Sequence, residues 1–284
     1  MRHNEFRFEG MNGISLYSQN WLPEVPPRAV IALVHGFGEH SGRYMNVVDH
    51  MVSNQYGVYG YDLRGHGNSP GQRGHIDTWV EYRIDLLNFL KMIKVQQSGR
   101  PIFLMGHSMG ALIALDFILS ENEKLAGAII SGAPIDPVGV AKPYLVALAR
   151  ILSRIYPRFP IDLGLDHDAI SRIPSVVRSY KEDPLVHGKV SARWGTESLS
   201  AVESVKRQGE NIHIPFLMIH GEADRLNSAE GAKRFFDQIR VHDKEFICYP
   251  AGYHEIHNDL DYEKMLSDLL DWINRHMDDL SLPA

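Results

Sequence analysis

Six short apolar runs constrain this chain more than any other feature: "PPRAVIALVHG", "YGVYGYDLRGHG", "RPIFLMGHS", "LAGAIISGAP", "HIPFLMIHGEAD" and "KEFICYPAG". Each is continuous rather than alternating, as in strands buried on both faces. Helical stretches are read between them, near 44–55, 78–97, 109–120, 228–239 and 260–276. Apolar runs that alternate with helices predict βαβ units and a mostly parallel sheet. Ahead of them, "FRFEG" and "ISLYSQNW" alternate and predict a half-exposed antiparallel hairpin. The buried runs end in clusters of Gly, His and Asp, and open α/β sheets carry their sites at the carboxyl ends of the strands.

The rhythm breaks between Pro134 and about Gln208, where no clear buried strand is read. This predicts a division into a core of 1–133 and 209–284 and a helical cap of 134–208. In "PYLVALARILSRIYPRFP", the positions Leu145, Leu148, Ile151, Leu152 and Ile155 recur at helical spacing. Such a stripe either packs on the core or lines a greasy entrance and touches a membrane.

The net charge of −6 gives no footing for nucleic acid. A single cysteine, Cys248, excludes an internal disulfide framework and fits a reducing compartment. "MRHNEFRFEG" lacks the apolar segment of a signal peptide, and no apolar run reaches the roughly 20 residues that a bilayer requires. The expectation is a cytoplasmic protein, peripheral to membranes at most.

Gly106-His107-Ser108-Met109-Gly110 forms a G-x-S-x-G between the apolar run "PIFLM" and the helical "MGALIALDFILS". A strand-to-helix elbow of this kind exposes the serine hydroxyl above the sheet, and the glycines give it room. A serine needs a base, and the elbow arrangement predicts the chain order Ser, acid, His. The acid is read at Asp224 in "HGEADRLN", ahead of its neighbour Glu222 and of Asp136 after the previous strand. The base is read at His254 in "AGYHEIHND", which lies nearer the strand end than His257. "HEIH" lacks the i,i+4 spacing of a helical zinc pair, so no metal is expected. Oxyanion donors are expected at the backbone N–H groups of Met109 and of Phe37 in "HGFGEHSGRY", with His35 placed to brace that loop.

The combination "HGFGEHSGRY", "DLRGHGNSPGQRGH", "GHSMGA", "HGEADRLN" and "AGYHEIHND", in this order, resembles the monoacylglycerol lipases of the serine α/β-hydrolase superfamily, the group also called lysophospholipase-like. The resemblance covers nearly all the core and is thinnest over 135–205. It implies an α/β-hydrolase fold: a mostly parallel eight-stranded sheet flanked by helices, with the helical cap inserted after the sixth strand. It implies catalysis by Ser108, Asp224 and His254, oxyanion donation by Phe37 and Met109, and no cofactor. It places Glu39, Arg43 and His257 near the glycerol-binding end, although Glu39 and Arg43 read equally well as a local ion pair. Asp62, Arg64 and His66 are read as loop scaffolding. Asn227 stands where mammalian members carry cysteine, so thiol sensitivity at that point is not implied.

The expected function is hydrolysis of monoacylglycerols to fatty acid and glycerol. A broader carboxylesterase or lysophospholipase on the same triad is the nearest alternative. A non-catalytic binding protein and an acyltransferase are the others. The expected partner is a lipid ester, with transient membrane contact through the cap.

Overall fold

The computed structural model describes residues 1–138 and 143–281. The strands are β1 (Arg2–Glu9), β2 (Ser15–Leu22), β3 (Val30–Val34), β4 (Gly57–Tyr61), β5 (Ile102–His107), β6 (Gly127–Ser131), β7 (Pro160–Asp162), β8 (Lys189–Ser191), β9 (Phe216–Gly221) and β10 (Lys244–Tyr249). The α-helices are α1 (Met45–Ser53), α2 (Val80–Gln96), α3 (Met109–Ser120), α4 (Pro143–Ile155), α5 (Pro174–Glu182), α6 (Ala192–Lys206), α7 (Ala229–Gln238) and α8 (Tyr262–Ser281).

Eight strands form one sheet in the order β1-β2-β4-β3-β5-β6-β9-β10. The hairpin β1–β2 is antiparallel and joins β4 antiparallel, while every other pairing is parallel. This is the mostly parallel sheet read from the runs, in the α/β-hydrolase architecture that the resemblance implies. The strands β3, β4, β5, β6 and β9 are buried at every position, which is why they lack alternation. Apolar layers cover both faces: Leu86, Phe89 and Leu112 belong to one, and Val48, Leu269 and Trp272 to the other.

The order of strands places the chemistry. The adjacent ends of β3, β5, β6 and β9, followed by β10, bring five loops together although their residues are far apart in the chain. The helix read over 109–120 matches α3, and the last helix runs past 276 to Ser281.

Between β6 and β9 lie α4, α5 and α6, together with a small antiparallel pair, β7–β8. That pair is a departure from the sequence reading, since ladders of three residues are too short to leave a pattern. The helix α4 leans on α6, with the buried Ser153 hydroxyl 2.9 Å from Thr196 Oγ1. Ile151 and Ile155 of the apolar stripe are 55% and 78% exposed, so they do not join the core. The side chains of Leu145 and Leu148 lie outside the described residues. Among the described residues, no helix is long and apolar enough to cross a membrane.

Candidate active site

Ser108 stands between the last residue of β5 and the first of α3, with φ 52° and ψ −118°. A non-glycine residue in that region carries strain of about 1–3 kcal/mol and persists only where its surroundings enforce it. Here the Ser108 N–H donates to Ser131 O at 2.9 Å, and Ser108 O accepts from Leu112 at 3.1 Å. The flanking glycines are required by space. A Cβ on Gly106 would lie 2.4 Å from Gly110 O, and one on Gly110 would lie 2.1 Å from Val34 O. Ser108 is half-buried, whereas His107 and Met109 are buried, so the hydroxyl-bearing residue is the one that reaches the surface of the elbow.

His254 comes from the loop after β10. Its Nδ1 lies 2.8 Å from Asp224 Oδ2, in the loop after β9. A carboxylate can only accept, so Nδ1 carries the proton and Nε2 is left as the basic nitrogen. Gly132 joins this pair to the elbow. It directly follows Ser131, which accepts from Ser108, and a Cβ on it would lie 3.1 Å from the His254 ring.

Asp224 is itself oriented. Its Oδ1 accepts from the N–H groups of Leu226 at 2.8 Å and Asn227 at 3.0 Å. His220 Nε2 lies 3.2 Å from Asp224 Oδ2 and 3.0 Å from Asn227 O, so it donates between two acceptors. Burial opposes ionisation of Asp224, but the His254 charge and the bonds from both histidines outweigh it and hold the carboxyl well below its usual range. Burial also opposes charge on His254, and Asp224, aided by Glu255 and Glu39, outweighs it and raises the imidazole above its ordinary value. The rival acids stand elsewhere: Asp136 pairs at the surface with Arg234 at 2.8 Å, and the exposed Glu222 carboxylate accepts from the Ala251 N–H at 3.4 Å.

The loop after β3 carries Gly36, Phe37 and Gly38. Among the described residues, no group accepts from the backbone N–H of Phe37 or of Met109. These are the two donors expected of an oxyanion hole. His35 braces the loop as anticipated: its Nε2 accepts from Leu63 N–H at 2.9 Å and its Nδ1 donates to Gly36 O at 2.7 Å. The Phe37 ring packs between His66, His187 and Trp194. Gly38, at φ 75°, accepts through its carbonyl from the His187 N–H at 2.9 Å, and a Cβ there would collide with His187 O at 2.3 Å. Asp62 and Arg64 hold loops: Asp62 accepts from Ser41 and Asn68, and Arg64 pairs with Asp85 and Glu81.

Glu39 and Arg43 are drawn into one buried network. Glu39 Oε1 accepts from Gly36 N–H at 2.6 Å and from Tyr44 O–H at 2.7 Å, while Oε2 meets Arg43 Nη1 at 2.5 Å. Arg43 also grips Glu255 through two bonds of 2.7 and 2.8 Å, beneath the ring of Tyr180. Burial opposes both charges, but Arg43 outweighs it at Glu255 and lowers that carboxyl to about 2. His257 is fully buried, stacked on Tyr44 at 4.7 Å and edge-on to His107 at 4.8 Å, and both its ring nitrogens lack a partner among the described residues. Burial lowers it to about 4, so it is neutral near pH 7. The sequence reading missed Glu255 and His220. His220 carried a faint signal, four residues before an acid at a strand end. Glu255 carried none, since its partner lies 212 positions away.

Residues 25–261 match the model of the family described as serine aminopeptidase, S33. The chain is 32% identical to a monoacylglycerol lipase of Mycolicibacterium smegmatis over 96% of this chain and 98% of the relative. It is 31% identical to the human monoglyceride lipase over 88% of this chain and 82% of the relative. The crystal structure of the Paleococcus ferrophilus monoacylglycerol lipase superposes with a TM-score of 0.83 at 34% identity, covering 92% of this chain and 99% of that one.

Proposed function

Because the chain belongs to the serine aminopeptidase S33 family of hydrolases, we propose that it cleaves monoacylglycerols to a fatty acid and glycerol by way of an acyl-serine. The substrate class rests on the relatives: lipases of monoacylglycerols match it along nearly its whole length and along theirs. The chemistry rests on one observation, the 2.8 Å bond that orients His254 on Asp224, with Gly132, next to the acceptor of the strained Ser108 N–H, packed against the His254 ring.

In this reading His254 Nε2 takes the Ser108 proton while Oγ attacks the ester carbonyl. The Phe37 and Met109 N–H groups receive the oxyanion, each contributing about 3 kcal/mol to lowering the barrier. His254 returns the proton to the departing glycerol oxygen. Water, activated by the same base, then releases the fatty acid and restores Ser108.

Glu39, Arg43 and His257 are proposed for the polar end of the site. What supports this is their gathering with Tyr44 in one layer beside His107, with two His257 nitrogens that lack a partner among the described residues. Since His257 is fully buried, the side chains above it must move before a diol can touch it. The segment 134–208 is proposed as the cap. Its exposed Ile151, Ile155, Tyr156 and Phe159, interleaved with exposed Arg150, Arg154 and Arg158, suit a transient contact with a lipid surface.

The test is a panel of monoolein, a short p-nitrophenyl ester and a lysophospholipid, run on the wild type and Ser108→Ala. Monoolein should be the preferred substrate, and S108A should lose all three activities while keeping its melting temperature. Residual activity near wild type in S108A ends the assignment, and a preference for the lysophospholipid moves it to the lysophospholipase alternative.

A further inference from the structure

Two loops that carry the proposed chemistry are joined through their immediate neighbours. Gly36 precedes the oxyanion donor Phe37, and its N–H donates to Glu39 at 2.6 Å. Glu255 follows the base His254, is 3% exposed, and takes both ends of the Arg43 fork. Arg43 reaches Glu39 with the same nitrogen that meets Glu255 Oε1. Gly36, Glu39, Arg43 and Glu255 thus form one unbroken strap from the oxyanion loop to the base loop. A second stitch runs beside it, since Asn46 donates to His257 O at 3.0 Å and Asn258 donates to Glu255 at 3.0 Å.

The strap has a charge as well as a shape. Two carboxylates face one guanidinium, which leaves a net negative charge in a buried place next to His254. Buried ions interact more strongly than exposed ones and are poorly screened. The charge develops its effect when His254 becomes cationic, which is the moment the tetrahedral intermediate forms.

We propose that Glu255, acting through Arg43 and Glu39, is a positioning residue that fixes the spacing of the oxyanion and base loops and keeps a negative charge behind His254. The proposal rests on the reading of His254 as general base. The groups that act on His254 are Asp224 from the β9 side, His107 from β5, His257 and Glu255 from its own loop, and Glu39 from the β3 side, with His220 bonded to Asp224 and Arg43 bonded to both glutamates. Of these, Asp224 holds the ring directly, and the strap adds the field of two further carboxylates, Glu255 and Glu39.

The experiment uses p-nitrophenyl butyrate, which has no glycerol, so that loss of a headgroup contact cannot mimic the effect. The variants are Glu255→Gln, Glu255→Asp and Arg43→Lys, each checked for fold by circular dichroism and thermal melting. E255Q should lower kcat by about 10- to 100-fold, as a misplaced base loop would, with KM within about threefold. Its acid limb in kcat/KM should move to lower pH, because removing a negative neighbour makes the imidazolium easier to deprotonate. E255D should lose part of kcat and keep the wild-type limb, and so should R43K, which preserves charge and loses the fork. A wild-type kcat in E255Q overturns the proposal, as does an acid limb that stays in place. If E255Q does not fold, Glu39→Gln removes the other carboxylate, and an unmoved limb in folded E39Q overturns it equally. Failure of the base reading looks different: His254→Ala would keep its activity, or a fluorophosphonate would leave wild-type Ser108 unlabelled.

Discussion

The loops at the strand ends and the segment between β6 and β9 treat polarity in opposite ways. The strand-end loops bury Glu39, Asp224, His254 and Glu255 and half-bury Arg43, and each has charged or hydrogen-bonded partners at 2.5–2.8 Å. The inserted segment exposes Ile151, Ile155, Tyr156 and Phe159 to solvent. The first region accepts the cost of desolvating charge and gains fixed geometry through dense pairing. The second leaves apolar side chains uncovered among exposed arginines, and it is on these that the proposed lipid contact rests. The proposed chemistry, which needs preorganised donors, draws on the first, and the proposed lipid contact draws on the second.

The sharpest way to break this contrast is Asp224→Asn. An amide still fills the space, yet the imidazole loses the carboxylate that fixes its tautomer. Turnover should fall by roughly 10⁴-fold with melting temperature near wild type, measured by steady-state kinetics and calorimetry. A loss under tenfold would mean that the polar layer does not govern the chemistry.

A smaller loss is expected from Gly38→Ala. The added methyl meets His187 O and must displace the Phe37 N–H, so kcat should drop by about 10²- to 10³-fold, as for a lost oxyanion donor. Unchanged kcat would show that the insertion simply yields at His187.

The buried pairing also sets a pH window for stability. The Glu255 carboxyl is depressed from 4.5 to about 2 in the folded state. A depressed acid stabilises the fold above the unfolded value and loses that contribution as pH falls through the folded one. The contribution is on the order of 3 kcal/mol above pH 4.5 and fades toward pH 2. Urea denaturation of the wild type and E255Q should therefore diverge at pH 7 and converge near pH 2. Parallel curves would remove the strap from the stability argument.

The mildest prediction concerns the insertion. Ile151→Ser with Ile155→Ser should leave hydrolysis of a soluble ester within about twofold, since exposed positions away from special features change little. On monoolein dispersed in vesicles the same pair should lose severalfold, read by fatty-acid release and vesicle flotation. Equal rates on both substrates would leave the exposed stripe without a role.

Legibility in the sequence followed the same contrast. Ser108 and Asp224 could be proposed because each sits just past a fully buried strand, where the fold dictates direction and order, and His254 because it follows the edge strand β10, whose positions are mostly half-buried. Arg43 and Glu255 could not be paired, because only the placement of β3 and β10 ends on one side of the sheet brings them together. The stripe at Leu145, Leu148, Ile151, Leu152 and Ile155 declared its helix by spacing alone. Spacing defines a face and is silent on what that face meets, so the exposure of Ile151 and Ile155 had to come from the structure. The three-residue strands β7 and β8 are too brief for any period to register.

Backbone seams between the inserted segment and the strand-end loops limit how freely this scaffold can be re-engineered. Residues of the inserted segment reach both chemical loops through backbone bonds: His187 N–H to Gly38 O at 2.9 Å, and Glu255 N–H to Ile170 O at 2.8 Å. Backbone contacts make no demand on side-chain identity, but they demand a chain at that place. A segment transplanted from another hydrolase to alter chain-length preference would therefore have to rebuild those two points of attachment. Grafts that retain 167–172 and 185–190 and exchange only what lies around them keep both seams intact.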